Sequence, residues 1–381
     1  MDIKKKTALG VILSAALVAC GGGGGSENSS GSSQNLTETP FTPKKLSEWE
    51  HSIIDGDTVY LQRDDGTLWK WQLVAAGKPQ KIDMAGDSIK SIQAQVNVSG
   101  ASISNIIVIL TQSGNAFQVK SDGSLTLLAT GIKQISENLY LQTDGTVRDW
   151  GHNVIPEMPK MSRLLESDWR YDGADFAKAG IGQDGQLYLF KGIKDELTQS
   201  HISGVSKVGA YPEAQAVLPV EAAGEEWVAA VLQGSNKWLI LDKTGKIISQ
   251  QLFSGVVNTR GIASHTATSP GPTVVAGDGK TWKWSDAQNG FLVQPECVGV
   301  EKILPSGLLF MTNGSFRDYK VNNTYCQEQS STHLKDVAVK DALGNWNTVV
   351  GIKSDGSLIA SVRKFEGVSM VFATFSAEKP L

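Results

Sequence analysis

The fold of this chain is predicted from residues 138–153, which read N-L-Y-L-Q-T-D-G-T-V-R-D-W-G-H-N. Leu139 and Leu141 alternate with Tyr and Gln, which is the two-residue period of a half-buried β-strand. Asp144 and Gly145 follow and predict a tight turn, because glycine adopts positive φ without steric cost and aspartate tolerates it. The residues after Gly145 form the returning strand, so the whole stretch predicts a β-hairpin.

The hairpin pattern recurs along the chain. A turn glycine stands at eight positions about 41 residues apart on average, namely Gly66, Gly114, Gly145, Gly185, Gly234, Gly279, Gly314 and Gly356. An apolar residue stands two places after five of these glycines: Leu68, Val147, Leu187, Phe316 and Leu358. An aromatic residue stands five places after five of them: Trp71, Trp150, Phe190, Trp284 and Tyr319. Aromatic residues make up only 7% of the chain, so these matches indicate an internal repeat of the length of a four-stranded propeller blade.

A second repeated segment predicts one further strand per unit. It reads G-I-K-Q-I at residues 131–135 and recurs at residues 204–208 and 299–303. A last copy, residues 367–371, follows the final hairpin. We expect it to pair with the Gly66 hairpin, because closing the ring in this way removes free sheet edges. The predicted fold class is all-β, with a single closed β-propeller of seven or eight four-stranded blades.

Residues 131–153 resemble a repeat of the regulator of chromosome condensation family of β-propellers. The resemblance rests on G-I-K-Q-I, then L-Y-L-Q-T-D-G-T-V, then W-G-H-N. The other units keep the turn and lose the W-G, and the family's histidine before the inner strand is replaced by residues 136–138. The resemblance implies a propeller over roughly residues 45–381 and, because relatives include exchange factors and a secreted inhibitor that binds β-lactamase, action by docking proteins.

Composition and charge agree with one large β domain. The chain has 381 residues, 40 glycines and 12 prolines, which is typical of a globular chain with many tight turns. Its formal net charge is −4, which disfavours nucleic acid as a partner, because phosphate backbones bind basic surfaces.

The N-terminus has the features of a bacterial lipoprotein precursor. Three lysines and then an apolar run predict a secretory signal peptide over residues 1–19. Residues 17–20, L-V-A-C, resemble the lipobox, which implies that Cys20 is acylated and becomes the first residue of the mature chain. Residues 20–43 are rich in Gly and Ser and predict a flexible linker, followed by the propeller at residues 44–381. Gly21 beside Cys20 favours the outer membrane, with the periplasmic or external orientation left open.

The candidate chemical motifs each have a structural interpretation that we favour. Residues 69–71 and 282–284, both W-K-W, are interpreted as packing between blades rather than as stacking platforms for a ligand. Arg148-Asp149 and Arg317-Asp318 occupy equivalent positions and are interpreted as edge ion pairs, with binding as the minor alternative. The five histidines, His51, His152, His201, His265 and His333, are far apart in sequence and match no metal-binding spacing. No metal, cofactor or catalytic residue is predicted.

Two cysteines remain if Cys20 is acylated. An exported chain favours disulfides, so we expect Cys297 and Cys326 to pair across the Gly314 hairpin.

The function predicted from sequence is that of a non-enzymatic, membrane-anchored binding scaffold of the bacterial cell envelope that docks a protein on the propeller face. This prediction rests on the contrast between the repeated turns, which are regular, and the connections, which vary in length. The longest connections are read as residues 153–178 and 208–226, and binding functions concentrate in such loops. Trp169 and Tyr171 in the first of these runs are the candidate partner-binding residues. The alternative is a propeller enzyme resembling the quinoprotein dehydrogenases, with an axial site.

The lipoprotein signal generates the first testable prediction. Mass spectrometry of the protein from membranes should show a mature N-terminus at Cys20 carrying acyl chains, and the protein should partition into detergent. A Cys20→Ala variant should fail to be acylated and should leave the detergent phase. An unacylated N-terminus in the unmodified protein would contradict the assignment.

Overall fold

The computed structural model describes residues 52–377 apart from short segments within connections, of which residues 166–176, 194–200 and 261–272 are the longest. The predicted signal peptide, Cys20 and the predicted linker lie outside the described residues. The described part forms eight antiparallel sheets, and in each of them the strands follow one another in chain order.

Sheets 1 to 4 are built from the first fifteen strands. Sheet 1 contains β1 (Ser52–Asp55), β2 (Thr58–Gln62), β3 (Leu68–Gln72) and β4 (Gln80–Ile82). Sheet 2 contains β5 (Ile89–Ser99), β6 (Ser102–Thr111), β7 (Ala116–Val119) and β8 (Leu125–Ala129). Sheet 3 contains β9 (Ile132–Ser136), β10 (Leu139–Gln142) and β11 (Val147–Asp149). Sheet 4 contains β12 (Met161–Leu165), β13 (Ala177–Gly182), β14 (Gln186–Ile193) and β15 (His201–Ala210).

Sheets 5 to 8 are built from the remaining strands. Sheet 5 contains β16 (Ala214–Ala222), β17 (Glu225–Gln233), β18 (Lys237–Leu241) and β19 (Ile247–Leu252). Sheet 6 contains β20 (Val256–Arg260), β21 (Thr273–Ala276), β22 (Thr281–Ser285) and β23 (Gly290–Gln294). Sheet 7 contains β24 (Val300–Ile303), β25 (Leu308–Met311), β26 (Phe316–Val321) and β27 (Thr324–Glu328). Sheet 8 contains β28 (Asp341–Gly344), β29 (Thr348–Ile352), β30 (Leu358–Glu366) and β31 (Ser369–Ala377).

The all-β propeller prediction is confirmed. Seven of the sheets are four-stranded blades, and sheet 3 has three strands within the described residues. The first strands of consecutive sheets contact each other, as in β5 with β9 and β20 with β24, so the first strand of each sheet is the inner one and the last is the outer one.

The eight predicted hairpins all form. Each turn glycine falls between the second and third strands of its sheet. Six of these glycines are among the described residues, and all six have positive φ: Gly114, Gly145, Gly185, Gly279, Gly314 and Gly356. In each of the six turns the glycine N–H donates to the carbonyl of the residue three places earlier, as in Gly145 to Gln142 at 3.0 Å. The glycine signal in the sequence therefore identifies the repeat unit correctly.

The second repeated segment occupies two different positions. Residues 131–135 and 299–303 lie at the start of first strands, β9 and β24. Residues 204–208 lie instead in β15, the outer strand of sheet 4. The segment pattern thus marks a strand without specifying its place in the sheet.

Ring closure differs from the prediction. The last copy of the segment lies largely in β31, which pairs with β30 in sheet 8 and not with the Gly66 hairpin of sheet 1. The ring closes by side-chain packing, because β1 contacts β28 and one apolar cluster joins the two sheets. Its buried members are Ile54, Val59, Leu61, Trp71 and Leu73 of sheet 1, and Leu343, Val350, Leu358, Ala360 and Val362 of sheet 8. Each blade is therefore complete within its own stretch of chain.

The predicted disulfide is present. Cys297 and Cys326 are bonded, with Cα atoms 5.2 Å apart. Cys297 precedes β24, and its carbonyl accepts a hydrogen bond of 3.1 Å from the Thr281 N–H of sheet 6, while Cys326 lies in the outer strand of sheet 7. The bond therefore fixes the connection between sheets 6 and 7 to the outer strand of sheet 7.

The turn geometry predicts unequal effects for two equivalent glycine substitutions. Gly145 has φ of +86°, and a Cβ on it would lie 2.9 Å from the Met161 carbonyl oxygen of sheet 4, whereas Gly185 has φ of +74° and no atom within 4 Å of such a Cβ. Both substitutions to Ala incur left-handed strain of about 1–2 kcal/mol, and Gly145→Ala adds a steric clash. We expect Gly145→Ala to lower the urea-unfolding free energy more than Gly185→Ala does. Equal losses would show that the turn moves freely away from sheet 4.

The disulfide should contribute measurably to stability. It closes a loop with a sequence separation of 29, and removing such a constraint from the unfolded chain costs about 3–4 kcal/mol in the chain-entropy treatment. Urea unfolding of a Cys297→Ala/Cys326→Ala double variant should show a loss of about this size. A reducing agent should destabilise the unmodified protein and leave the variant unchanged, and an unchanged midpoint in the variant would contradict the proposal.

Candidate binding surface

The sheets have two ends that differ in construction. We call the end that carries the turns between second and third strands the hairpin end. The same end carries the connections from one sheet to the next, because antiparallel strands reverse direction at each turn. The opposite end carries the connections between first and second strands and between third and fourth strands.

The hairpin end is engaged in contacts between sheets. The carbonyl oxygens of four turn glycines accept hydrogen bonds of 2.8–3.1 Å from N–H groups at or just before the first strand of the next sheet. These bonds join Gly114 to Ile132, Gly145 to Met161, Gly279 to Val300, and Gly314 to Val339. The backbone of these turns is therefore committed to holding neighbouring sheets together.

Turn aspartates complete the structure of the hairpin end. Asp144 accepts hydrogen bonds from the Thr146 N–H and hydroxyl, each at 2.8 Å, and from the Lys160 ammonium at 2.7 Å. The hydrogen bonds from Lys160 and Thr146 hold the pKa of the Asp144 carboxyl well below its usual range. Asp355 has a lowered pKa for a similar reason, because the Ser357 hydroxyl and N–H donate to it. These carboxylates are structural caps of turns.

The opposite end carries the most variable connections. The β1–β2 connection consists of residues 56–57, whereas residues 166–176 and 261–272 join the first and second strands of sheets 4 and 6. Long hairpins also point to this end, such as β5 with β6, whose strands have 11 and 10 residues. Variation in length is therefore large at the end opposite the turn-to-strand hydrogen bonds.

The candidate partner-binding residues belong to this opposite end by topology. Trp169 and Tyr171 lie between β12 and β13, outside the described residues. The prediction that residues 208–226 form a long connection is wrong, because β16 and the start of β17 occupy most of this segment. In residues 214–222, A-Q-A-V-L-P-V-E-A, every second residue is apolar, which is a strand signal that the interpretation as a loop overlooked.

The last tryptophan of each W-K-W segment packs between neighbouring sheets, as predicted. Trp71 is buried in the cluster that closes the ring, and Trp284 is buried between sheets 5 and 6. Trp282 packs against the same cluster as Trp284, and the Trp69 indole N–H donates to the Thr67 hydroxyl at 2.8 Å. Lys70 between the first pair is itself buried, and its ammonium donates to the Ser121 carbonyl of sheet 2.

The W-G-H-N segment forms a closed turn after β11. Asp149 accepts a hydrogen bond of 2.8 Å from the Asn153 N–H, and Arg148 donates to the Gln142 side-chain oxygen at 2.8 Å and to the His152 carbonyl at 2.7 Å. His152 Nδ1 lies 2.9 Å from the Tyr140 hydroxyl. The expected ion-pair role of Arg148 and Asp149 is thus replaced by capping of a turn.

Polar side chains of the inner strands join neighbouring sheets, a feature that sequence reasoning missed. The Gln134 amide donates to the Leu164 carbonyl at 2.8 Å and accepts from the Leu164 N–H at 2.9 Å. Lys133 donates to the Ser162 carbonyl, and buried Lys302 pairs with Asp341 of the next sheet. These side chains lie on the first strands of their sheets and bind backbone groups or a carboxylate of the next sheet. Within the described residues, no three His, Cys, Asp or Glu side chains are grouped as metal ligands.

The outer rim of sheets 5 and 6 is the second feature missed. Five aliphatic side chains of β19 and β23 are exposed there: Ile247, Ile248, Leu252, Leu292 and Val293. The available signal was two short runs, I-I-S-Q-Q-L and F-L-V-Q, without a charged residue. No helix within the described part of the chain has the length and apolar character needed to cross a membrane.

Comparison with known proteins finds likeness of structure only. No family model and no curated protein matches the chain. PorZ, an essential surface component of the type-IX secretion system of Porphyromonas gingivalis, is 11% identical with a TM-score of 0.40, over 88% of this chain and 46% of PorZ. BamB from Moraxella catarrhalis is 12% identical with a TM-score of 0.44, over 84% of this chain and 96% of BamB. BBS1N, solved in complex with ARL6DN, is 13% identical with a TM-score of 0.45, over 84% of this chain and 92% of BBS1N.

Proposed function

We propose that this protein is a non-enzymatic binding scaffold, anchored by acylated Cys20 to the outer membrane of a bacterial cell, that docks a protein partner on one face of its propeller. The observation that carries the proposal is the difference between the two ends of the sheets. The turns of the hairpin end hold neighbouring sheets together, while the opposite end presents long connections and projecting hairpins on a fixed frame. Connections of this kind concentrate binding functions because they change without disturbing the core.

The class of partner follows from the surface available. A partner that contacts connections from several sheets at once must be broad, and a protein surface meets this requirement. The protein's formal net charge of −4 disfavours nucleic acid. The membrane anchor would restrict the partner to proteins of the envelope.

The experiment is co-purification of envelope proteins with the full-length protein from its native host, compared between variants. A Trp169→Ala/Tyr171→Ala variant should lose the partner, because large aromatic side chains dominate protein interfaces. A Thr143→Ala/Ser354→Ala variant, altered at two exposed hairpin turns, is the matched control and should retain it. Both variants should keep the thermal stability of the unmodified protein.

Two outcomes would overturn the proposal. Loss of the partner in the Thr143→Ala/Ser354→Ala variant but not in the Trp169→Ala/Tyr171→Ala variant would place binding on the hairpin end. Turnover of a substrate by the purified protein with a bound metal or quinone would identify an enzyme instead.

A further inference from the structure

The outer strand of sheet 8, β31 (Ser369–Ala377), has one paired edge and one open edge. Its inner edge pairs with β30 along all 9 residues without a register shift. β31 is the last strand in the order of its sheet, so no described strand pairs with its outer edge. We call this outer edge the β31 edge. A strand edge of this kind presents a regular row of N–H and C=O groups, which is a template for another strand.

The strand register identifies the residues whose backbone groups point outward. The Arg363 N–H of β30 donates to the Asn347 carbonyl at 2.7 Å, so it points away from β31. Successive residues of an antiparallel strand direct their backbone groups to alternate sides. The residue before Arg363 therefore points toward β31, where it pairs with Ala373. By the same alternation, the N–H and C=O of Thr374 and Ser376 point outward. Among the described residues, none forms a hydrogen bond with these outward groups.

The outer edges of the other sheets are protected against strand addition. A register shift interrupts each of β8, β15 and β19. β4 has only 3 residues and includes exposed Lys81, and Cys326 interrupts β27 with φ of +54°. In β23 the Gln251 amide occupies both backbone groups of Phe291, and in sheet 3 the turn after β11 covers the edge. β31 has no register shift, proline or charged residue, so it lacks the usual devices that prevent pairing with another chain.

The side chains beside the β31 edge differ between the two faces of sheet 8. On the face toward sheet 1, Phe375 and Ala377 pack against the apolar cluster that joins sheets 1 and 8. On the face toward sheet 7, Thr374 and Ser376 are exposed, and Ser376 pairs with Ile359 of the cluster between sheets 7 and 8. Side chains of adjacent strands on the same face contact each other directly. A strand added to this edge therefore fits best when apolar and small polar residues alternate along it.

We propose that the β31 edge binds an extended segment of a partner protein, which pairs with β31 as an additional strand of sheet 8. The outward groups of a strand repeat every second residue, about 7 Å apart, and an extended polypeptide backbone is the ligand whose donors and acceptors match this repeat. Backbone hydrogen bonds supply the affinity of such a site, and the alternation of apolar and polar side chains supplies its selectivity. The site lies on the rim of sheet 8 and is separate from the docking surface under Proposed function.

The test removes one outward N–H and leaves the pairing of β31 with β30 intact. Random peptides displayed on phage are selected on the purified full-length protein, and the affinity of the selected peptides is compared between variants. Thr374→Pro should weaken binding by about tenfold or more, because it deletes a hydrogen-bond donor and places a ring on the edge. The matched control, Thr374→Ala, keeps the N–H and should bind as the unmodified protein does. Proline is tolerated on edge strands, and Ser376→Pro provides a second variant of the same kind.

Hydrogen exchange of residues 369–377 locates the bound peptide. The selected peptides should slow exchange of these amides in the unmodified protein and in the Thr374→Ala variant. Selection that yields no peptide with this effect, or equal weakening by Thr374→Ala and Thr374→Pro, would overturn the proposal.

Self-association and the proposed docking surface are tested separately. Slower exchange of residues 369–377 at higher protein concentration, without peptide, would identify a second copy as the occupant and overturn the assignment to a partner protein. The Trp169→Ala/Tyr171→Ala variant should bind the peptides as the unmodified protein does. Loss of peptide binding in that variant would move the site from the β31 edge to the connections and overturn the proposal.

Discussion

The carbonyl oxygen of the hairpin glycine is the acceptor on which the assembly of sheets depends. A four-stranded meander has an apolar face on each side and an exposed inner edge, so it is not stable until neighbouring sheets cover it. At Gly145 the chain turns with φ of +86°, and its carbonyl accepts the N–H of Met161 at 2.8 Å. A side chain at this position would collide with the next sheet. At Gly145 the same residue therefore makes the hairpin and the contact between sheets, whereas at Gly185 no atom lies within 4 Å of a Cβ and the positive φ is what favours glycine.

Glutamine side chains protect the strand edges that this arrangement leaves open. The Gln134 amide pairs with both backbone groups of Leu164 on an inner strand, and the Gln251 amide does the same with Phe291 on an outer strand. A primary amide has the same hydrogen-bond donor and acceptor as a peptide group, so it can pair with the N–H and carbonyl of one residue on a strand edge as a neighbouring strand would. An edge paired in this way is a poor template for another chain. The ring thereby remains a set of complete sheets joined by turn backbone groups and side chains, and an apolar cluster packs sheet 1 against sheet 8.

The parts of this fold that the sequence predicts are those determined by local chemistry. The turn at Gly145 requires positive φ, and the sequence of the strand before it alternates in polarity, so the hairpin of residues 139–149 is predictable from its own sequence. The disulfide between Cys297 and Cys326 was expected because the predicted export of the chain and the expected acylation of Cys20 leave two thiols that tend to pair. Ring closure is not predictable in the same way. Residues 367–371 have the composition of a strand, but composition does not specify which sheet edge the strand joins.

The candidate surfaces are less predictable because they depend on what surrounds each residue. Leu252 belongs to a strand whose other residues include exposed and half-buried positions, and only the packing of the sheets shows that its side chain is 68% exposed. Lys70 shows the opposite case. Its charge suggests an exposed side chain, but the side chain is buried and its ammonium donates to the Ser121 carbonyl.

The two ends of the sheets differ in how well they tolerate a change in connection length, and this difference follows from the turn glycines. At the hairpin end, the Gly314 carbonyl accepts a hydrogen bond from the Val339 N–H of the next sheet. A change in the length of this turn would move the carbonyl and break or distort that bond between the two sheets. Residues 166–176 join β12 to β13, and these two strands pair with each other in an antiparallel register, so a change in the length of the connection does not require a change in that pairing. Long connections are therefore tolerated at the opposite end of the sheets at small thermodynamic cost. This end is where new binding residues can be added without altering the ring.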